Sequence, residues 1–375
     1  MYVSLKDVAA RAGVSFQTAS KVLNGRAGVA SAATVERIET AARELGYVPN
    51  LLARGLVRRS SITVGILVDD VADTALSRFV AGAQRALAAN GHAAVLVALH
   101  PDVAVGASLA KLLAHRVDGV LVIAPSLEDD GGTSVAMRDG LPLASLNHLP
   151  GTSAILLGSD HRMTGTLAGR HLTELGHREI ATVTGPPSRQ VVRVRLDGFR
   201  RALAEADVDL PDVRIEPADW TAEDAYTAAG RLLDSDPTIT AWFAQNDTMA
   251  MGVLRLLADR KVRVPEHASV IGCDDLPMAQ FLVPSLSTVH IPFVETGARA
   301  AAVLLDKIAG NDVPSRELLP VYLVPRASTA RPPRARARAP AQPRAPAVRA
   351  AARTSQRRSS STTEPRTSSA KGSSR

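Results

Sequence analysis

A polar run near the amino terminus combines an amide, a cation, several short hydroxyls and one aromatic ring. Its members are Ser15, Phe16, Gln17, Thr18, Ser20, Lys21 and Asn24. Gln17 can hydrogen-bond N6 and N7 of adenine, and Lys21 can donate to O6 or N7 of guanine. The hydroxyls suit phosphate oxygens, and Phe16 can contact a thymine methyl group. The run could therefore recognise DNA, although Phe16 could instead pack in a small core, and Gln17 and Lys21 could lie on a solvated helix face.

Three short helices are predicted around this run, within residues 4–45. Ser4 and Asp7 have the spacing of a capping box at the start of the first helix, which Gly13 ends. Ser15 caps the second helix, FQTASKVLN, and the third, ATVERIETAARELG, turns an apolar face inward. Two short helices joined by a tight glycine-containing turn form a helix-turn-helix, whose second helix enters the major groove by its first residues. The polar run occupies that position.

The body of the chain, from about Ile62 to about Ser328, alternates short apolar runs with amphipathic stretches. The clearest strand candidates are residues 61–68, 93–99, 119–123, 179–184, 240–244 and 269–273. Near-continuous apolar strands separated by helices of roughly 10–15 residues indicate βαβ units and a parallel sheet covered on both faces. About 260 residues of this pattern suit two doubly wound lobes, in which ligands bind beyond the carboxyl ends of the strands.

Several functional classes are disfavoured by the motifs that the sequence lacks. No GxGxxG follows a strand and no GxxxxGK[ST] occurs, so we expect no nucleotide cofactor. GxSxG, a Cys–His pair and a metal-spaced histidine cluster are also missing, which argues against an enzyme. The single Cys273 cannot make an intramolecular disulfide or a cysteine zinc site. With no apolar run of the roughly 18–20 residues that span a bilayer and no signal segment, we expect a cytoplasmic protein without a membrane partner.

The net charge of +7 is unevenly distributed along the chain. Residues 1–59 carry nine basic and four acidic side chains, and residues 331–375 carry twelve basic and one acidic, which leaves −9 on residues 60–330. Basic ends on an acidic body predict that nucleic acid contacts the ends. The tail is rich in Arg, Pro, Ala and Ser, so we expect it to be disordered. It either attracts phosphate backbones non-specifically or is an inert extension.

Several motifs occur in an order that resembles the lac repressor (LacI/GalR) family. They are SLKDVAARAGVSFQTASKVLN, VERIETAARELGYVPN, LGHREIATVTGP, RLDGFRRAL, FAQNDTMAMG, VIGCDD and PSLSTV. The resemblance covers residues 3–328 and implies an all-α helix-turn-helix headpiece (1–59), an α/β periplasmic-binding-protein-like core of two lobes (60–330) and the tail (331–375). The function that it implies is a sequence-specific DNA-binding transcriptional regulator of the repressor type, controlled by a small ligand.

The resemblance gives residues 50–58 the role of a hinge helix that forms only when a dimer binds DNA. Ala53 and Leu56 would enter the minor groove, with Leu56 wedged into a central base step to kink the duplex. Asn50 can cap this helix, whereas Gly55 weakens it by about 1 kcal/mol relative to alanine. A helix this short is unstable alone, so its folding can be coupled to DNA binding. The alternative for Leu56 is a linker residue packed on the body.

The resemblance also places an effector in the cleft between the lobes. The residues that it implies are Asp69, Arg195, Trp220, Asn246, Asp274 and Phe293. Trp220 follows a short strand candidate and precedes a helix, a loop position able to face the cleft, whereas Trp242 lies inside a strand and is expected in the core. A tryptophan face suits the C–H side of a sugar ring, and the polar side chains suit its hydroxyls. The set resembles the galactoside-responsive branch of the family.

Other readings of these positions stay open at the level of sequence. Met163 and Ile291 stand where the lactose-responsive member has an acid and an amide, so the exact sugar is not fixed. Asp274 and Asn246 could cap helices instead, and Arg195 could form a surface ion pair. A nucleobase-responsive regulator, a sugar-binding transport component and a sugar-processing enzyme are the rival functions, of which the first is the nearest.

A homodimer is expected because a helix-turn-helix reader of this kind places two headpieces on a pseudo-palindromic operator of double-stranded DNA. The resemblance implies a dimer surface that includes Met251, Leu254, Phe281 and Leu282. The alternative for these four residues is ordinary lobe core. Nothing in residues 331–375 has leucine heptads that would join dimers into a tetramer.

Overall fold

The computed structural model describes residues 3–24, 28–47, 62–100, 102–128, 141–146, 149 and 152–332. The predicted hinge helix (50–58), with Asn50, Ala53 and Leu56, lies outside the described residues, as does the tail beyond residue 332.

The described part of the headpiece, residues 3–24 and 28–47, contains three helices: α1 (Leu5–Ala12), α2 (Phe16–Leu23) and α3 (Ala32–Leu45). Ser4 and Asp7 form the predicted capping box, in which the backbone N–H of Ser4 donates to Asp7 Oδ2 at 2.8 Å. Gly13 ends α1 in the left-handed region at φ 66°, which turns the chain sharply into α2. Fully buried Val8, Ala19 and Ile38, one from each helix, form the centre of a small core.

Lobe 1 is a six-stranded sheet in the order β11-β5-β4-β3-β1-β2, with every pair of neighbours parallel. Its first elements are β1 (Thr63–Val68), α4 (Thr74–Ala89), β2 (Ala93–Ala98), α5 (Val105–Ala114), β3 (Gly119–Ile123), β4 (Leu143–Ser145) and β5 (Ile155–Ser159). β3 is buried at every residue, which is why it reads as an unbroken apolar run and not as an alternating one.

Lobe 2 is a second six-stranded sheet, in the order β12-β10-β9-β8-β6-β7. Its elements are α6 (His161–Glu174), β6 (Ile180–Thr184), α7 (Gln190–Ala204), β7 (Ile215–Pro217), α8 (Ala222–Ser235), β8 (Ala241–Ala244), α9 (Asp247–Asp259), β9 (Ser269–Asp274) and β10 (Ser287–His290). The edge strand β12 (Tyr322–Val324) pairs antiparallel with β10. α6 and α7 cross so closely that a Cβ on Gly165 would lie 1.9 Å from the Arg195 carbonyl oxygen.

The chain returns to lobe 1 through α10 (Phe293–Ile308) and β11 (Arg316–Leu319) before β12 completes lobe 2. Leu304 of α10 is fully buried in the lobe 1 core. Within the described residues the chain therefore crosses between lobes after β5, after β10 and after β11. The predicted fold, a helical headpiece followed by two parallel α/β lobes, is confirmed.

Candidate functional site

α2 holds the polar run on a rigid element whose start is fixed by a side-chain cap. The Ser15 hydroxyl accepts a hydrogen bond from the Thr18 backbone N–H at 3.1 Å, and the two hydroxyls lie 2.8 Å apart. This cap satisfies an otherwise unpaired N–H at the helix start. Ser15 and Thr18 therefore order the first turn of α2, at the end that a helix-turn-helix inserts into a groove.

One face of α2 is turned to solvent and carries the predicted DNA contacts. Fully buried Ala19 marks the opposite face. The solvent face comprises Phe16, Gln17, Ser20, Lys21 and Asn24, with all but the half-buried Ser20 exposed. The Phe16 ring is 50% exposed, so the alternative of core packing is wrong for this residue. An exposed aromatic ring beside an amide and a cation is available to touch base edges.

In lobe 2, the candidate effector residues follow the carboxyl ends of neighbouring strands, as expected for a parallel sheet. Asp274 ends β9, Asn246 follows β8, and Trp220 lies in the loop after β7. Arg195 reaches the same edge from α7, with its Nη2 3.7 Å from Asp274 Oδ1. The structure thus brings together four of the six predicted residues at one edge of one sheet.

Arg195 is buried, with 4% of its surface exposed, which contradicts the alternative of a surface ion pair. Its Nη1 donates to the backbone oxygen of Gln245, and its Nη2 lies 3.4 Å from His161 Nδ1. Burial and the positive charge of Arg195 lower the pKa of His161 well below its usual value, so the neutral ring can accept from the guanidinium. Arg195 Nε is shielded from solvent and has no hydrogen-bond partner in the described chain.

Asp274 is a buried carboxylate with an unusual affinity for its proton. Burial raises its pKa to about 7, although the positive charge of Arg195 opposes that shift. The Cys273 thiol donates to Asp274 Oδ1 at 3.4 Å, and burial raises the pKa of that thiol. The backbone of Asp274 lies at φ 116°, in a region that non-glycine residues seldom adopt. Such strain is typical of residues held for a function.

Trp220 is half-buried against the lobe 2 core, and its backbone is at φ 77°. Its ring lies over Gly185, directly after β6, where an added Cβ would come within 2.3 Å of the ring carbons. Glycine is therefore required at this position for the indole to lie against the chain at the strand ends. Trp242, in contrast, is fully buried in β8, and the prediction of a core residue is confirmed.

Asn246 and Asp247 organise the loops around the site. Asn246 caps α9, with its Oδ1 accepting from the Met249 N–H at 2.6 Å, and its Nδ2 donates to the Trp220 carbonyl oxygen at 3.2 Å. The capping alternative is thus realised, and the same amide positions the tryptophan loop. Asp247, which sequence reasoning missed, accepts from the Leu276 N–H at 2.7 Å and thereby fixes the loop after Asp274.

Asp69 and Phe293 lie in lobe 1 and at the crossing into it. Asp69 Oδ2 accepts from the Ser126 N–H at 2.7 Å and Oδ1 accepts from the Ser126 hydroxyl, so the carboxylate holds the loop after β3. Phe293 is 4% exposed, and its ring meets Phe79 edge to face with centroids 4.9 Å apart. Phe293 therefore packs between elements, and its face is not free for stacking.

Two hydrogen bonds join the lobes at the loop that Asp69 holds. Arg189 Nη1 donates to the Pro125 carbonyl oxygen at 2.7 Å, and the Gln190 N–H donates to Glu128 Oε2 at 3.1 Å. Glu128 of lobe 1 thus accepts from the first residue of α7, the helix that carries Arg195. Sequence reasoning missed this cross-lobe latch, because its partners lie more than 60 positions apart.

The residues of the predicted dimer surface differ in exposure. Phe281 is 78% exposed and neighbouring Val283 is 98% exposed, so the lobe-core alternative is wrong for Phe281. Leu254 and Leu282 are half-buried and pack against the lobe 2 core, and Met251 is half-buried on α9.

Neither a metal site nor a membrane span is found among the residues that the structure describes. No group of three or more His, Cys, Asp or Glu side chains there could hold a metal ion. None of the described helices combines the length and the apolar character needed to cross a bilayer.

Comparison with known proteins gives two family matches and close structural relatives. Residues 4–50 match the lacI family of bacterial regulatory proteins, and residues 170–329 match the periplasmic binding protein-like domain. The ribose operon repressor of Escherichia coli (strain K12) is 32% identical over 307 residues, which cover 81% of this chain and 93% of that protein.

Two solved structures are similar over almost their whole length. The lac repressor dimer bound to operator and an anti-inducer superposes with a TM-score of 0.77 at 30% identity, covering 88% of this chain and all of that one. A complex of the transcriptional regulator CelR with cellobiose has a TM-score of 0.66 at 32% identity, covering 87% of this chain and 99% of the other.

Proposed function

This chain belongs to the LacI family of bacterial regulatory proteins, and we propose that a small sugar, a galactoside, bound between its lobes controls its affinity for a pseudo-palindromic operator. As a member of that family it is a DNA-binding transcriptional repressor with a ligand-binding domain, and not an enzyme. The working unit that we propose is a homodimer, which presents two copies of α2 to successive major grooves.

The buried Arg195–Asp274 pair is the observation that supports a sugar most strongly. A carboxylate accepts hydrogen bonds from hydroxyls, and a guanidinium donates to hydroxyl and ring oxygens in a fixed plane. Arg195 Nε has no partner in the described chain, which leaves it available to a ligand oxygen. A polyol that bonds both groups satisfies buried polar atoms that otherwise destabilise the cleft.

The aromatic surface at the site supports the same ligand class. Trp220 rests over Gly185 at the strand ends, and Asn246 holds its loop through the backbone. An indole face packs well against the apolar C–H side of a pyranose. The relatives include a LacI family regulator from Enterococcus faecium solved with bound ribose and a regulator solved with cellobiose, so the family accommodates sugars of different size. The galactoside is our choice because of the Trp220, Asn246 and Asp274 combination.

The proposed mechanism is a shift between two arrangements of the lobes. The latch from Glu128 and Pro125 to the start of α7 ties lobe closure to the helix that carries Arg195. A ligand that prefers one arrangement changes the spacing of the two headpieces of the dimer, and thereby the affinity for DNA. Coupling of about 1–3 kcal/mol between sugar and operator, in the direction of release, is sufficient for a regulatory response.

A ligand screen followed by DNA release tests the proposal. We expect D-galactose or a methyl galactoside to raise the melting temperature, in a panel that also holds D-ribose, cellobiose, guanine and hypoxanthine. The sugar that binds should weaken binding to a DNA sequence selected from a random pool. Stabilisation by purines alone would contradict the proposal and favour a nucleobase-responsive regulator.

The variant Trp220→Ala tests the stacking role within that assay. It should lose the sugar response and keep its affinity for the selected DNA, because Trp220 lies far along the chain from α2. Trp220→Phe, which keeps an aromatic face, is the matched control and should retain part of the response. Release of DNA by Trp220→Ala at the wild-type sugar concentration would show that the indole does not contact the sugar.

A further inference from the structure

Arg78 is a partly buried cation without a hydrogen-bond or ion-pair partner among the described residues. It lies on the second turn of α4 in lobe 1, and its side chain is half-buried. Its Nε is shielded from solvent and makes no hydrogen bond within the described chain, and no described carboxylate forms an ion pair with it. Leaving a buried donor unpaired is unfavourable, so such groups in folded proteins call for an explanation.

The surroundings of Arg78 place it at the effector cleft. Its Cζ lies 6.0 Å from the centre of the Phe293 ring, where the chain has just crossed from lobe 2. Phe79, the next residue, packs edge to face on the same ring. The charge of Arg78 also lowers the pKa of Asp274, although burial of that carboxyl dominates and raises it. The start of α4 is therefore close enough to the buried carboxylate of lobe 2 for the charge of Arg78 to act on it.

Two carboxylates of lobe 1 near the start of α4 already have hydrogen-bond partners. Both carboxylate oxygens of Asp69 accept hydrogen bonds from Ser126. Asp73 caps α4, with its Oδ1 accepting from the N–H groups of Ala75 and Leu76 at 2.8 and 3.0 Å. Unlike these two carboxylates, Arg78 has a shielded Nε–H that no group of the described chain accepts, so it stays available to a ligand.

We propose that Arg78 is an effector-binding residue of lobe 1, whose guanidinium donates to an oxygen of the same sugar that Arg195 and Asp274 hold in lobe 2. This inference rests on the proposed function and adds the contact by which one ligand bonds both lobes. A ligand held only by lobe 2 would have no preference between open and closed arrangements, and so could not shift them. Arg78 supplies that preference.

The chemistry that Arg78 recognises is a pair of adjacent oxygen acceptors. A planar guanidinium donates in parallel to two such oxygens, which occur as neighbouring hydroxyls of a neutral sugar or as the carboxylate of a sugar acid. D-galactose and D-galacturonate differ only at C6, which carries a hydroxymethyl group in the first and a carboxylate in the second. Their relative affinities therefore show whether Arg78 binds sugar hydroxyls or a sugar carboxylate. D-ribose and cellobiose extend the set of probes to smaller and larger sugars.

Calorimetric titration of the full-length chain with these four probes tests the role of Arg78. Arg78→Gln should bind the probe that wild type binds with an affinity at least tenfold lower. Arg78→Lys should restore part of that affinity. Arg85→Gln, an exposed arginine on the same helix, is the matched control and should change the affinity less than twofold. Without sugar, Arg78→Gln should melt no lower than wild type, because it removes a partly buried cation that has no hydrogen-bond or ion-pair partner in the described chain.

The outcomes separate this inference from the proposed function. If wild type and Arg78→Gln bind the sugar with equal affinity, the role of Arg78 is overturned and the proposed function still stands. A lower melting temperature of Arg78→Gln without sugar, combined with weak binding, would show that Arg78 supports the fold and does not contact the ligand. Failure of all four probes to bind wild type would contradict the proposed function, and with it the role of Arg78.

Discussion

Sugar binding should depend on pH through Asp274, and Asp274→Asn should remove that dependence. Burial raises the pKa of Asp274 to about 7 against the effect of Arg195. With that pKa the carboxyl group is about one-tenth ionised at pH 6 and about nine-tenths ionised at pH 8. Hydrogen bonds to an ionised carboxylate are roughly twice as strong as those between neutral groups. A sugar hydroxyl that donates to Asp274 should therefore bind up to about tenfold more tightly at pH 8 than at pH 6.

Two titratable neighbours of Asp274, His161 and Cys273, keep one protonation state near neutrality. His161 has a pKa held well below its usual value by burial and Arg195, so it stays neutral over this range. The Cys273 pKa is raised well above its usual value by burial, so the thiol stays protonated. Asp247 also has a raised pKa from burial and the charge of Asp274, but its oxygens bond within the protein.

Isothermal titration at pH 6, 7 and 8 provides the assay. Repeating the pH 6 titration in buffers of different ionisation enthalpy should show that binding releases close to one proton, because the ligand favours the ionised form. Asp274→Asn should bind more weakly at pH 8 and give a flat profile. A flat profile for wild type, or an unchanged slope in the Asn variant, would refute the assigned role of Asp274.

Three further expectations concern the scaffold. Gly165→Ala should lower the free energy of unfolding, measured by denaturant titration, by about 1–3 kcal/mol, because the added Cβ would overlap the Arg195 carbonyl oxygen. The control Gly230→Ala should leave it unchanged, because the nearest atom to its Cβ lies at an ordinary contact distance of 3.6 Å. Glu128→Gln should weaken the latch and widen the cleft in small-angle scattering; unchanged scattering would argue against a latch. Burial lowers the pKa of His177, so its contribution to stability is present above about pH 6.5 and is lost as pH falls below it. His177→Gln should therefore lose less in melting temperature between pH 7 and pH 5 than wild type does, and equal losses would contradict this.

The parts of the fold that follow from local pattern were predictable. The run 119–123 is the strand β3, because a buried parallel strand is apolar at each position. The capping box at Ser4 and the cap at Ser15 also follow from short-range spacing. β11 was not predicted as a strand of lobe 1, because its residues alternate in exposure and its pairing with β5 depends on a late return of the chain.

The candidate site shows the same division between short-range and long-range information. The position of Asp274 at a strand end was predictable, but its raised pKa depends on burial beneath distant elements. The latch between Glu128 and Gln190 joins positions 62 apart, and no local signal marks such a pair. That Arg78 Nε lacks a partner can be seen only in the folded chain, in which Asp69 and Asp73 accept hydrogen bonds from other groups.

Sugar-controlled DNA recognition is tested by measuring how wild type and Gln17→Ala bind a selected palindrome, with and without the sugar that stabilises the protein. We expect wild type to prefer the palindrome to genomic fragments and to release it when the sugar is added. Gln17→Ala should lose about 1–3 kcal/mol of that preference, because a bidentate contact to adenine is removed. Sugar-controlled recognition of an operator would be contradicted if wild type bound the palindrome and genomic fragments equally, and if neither the sugar nor Gln17→Ala changed that binding.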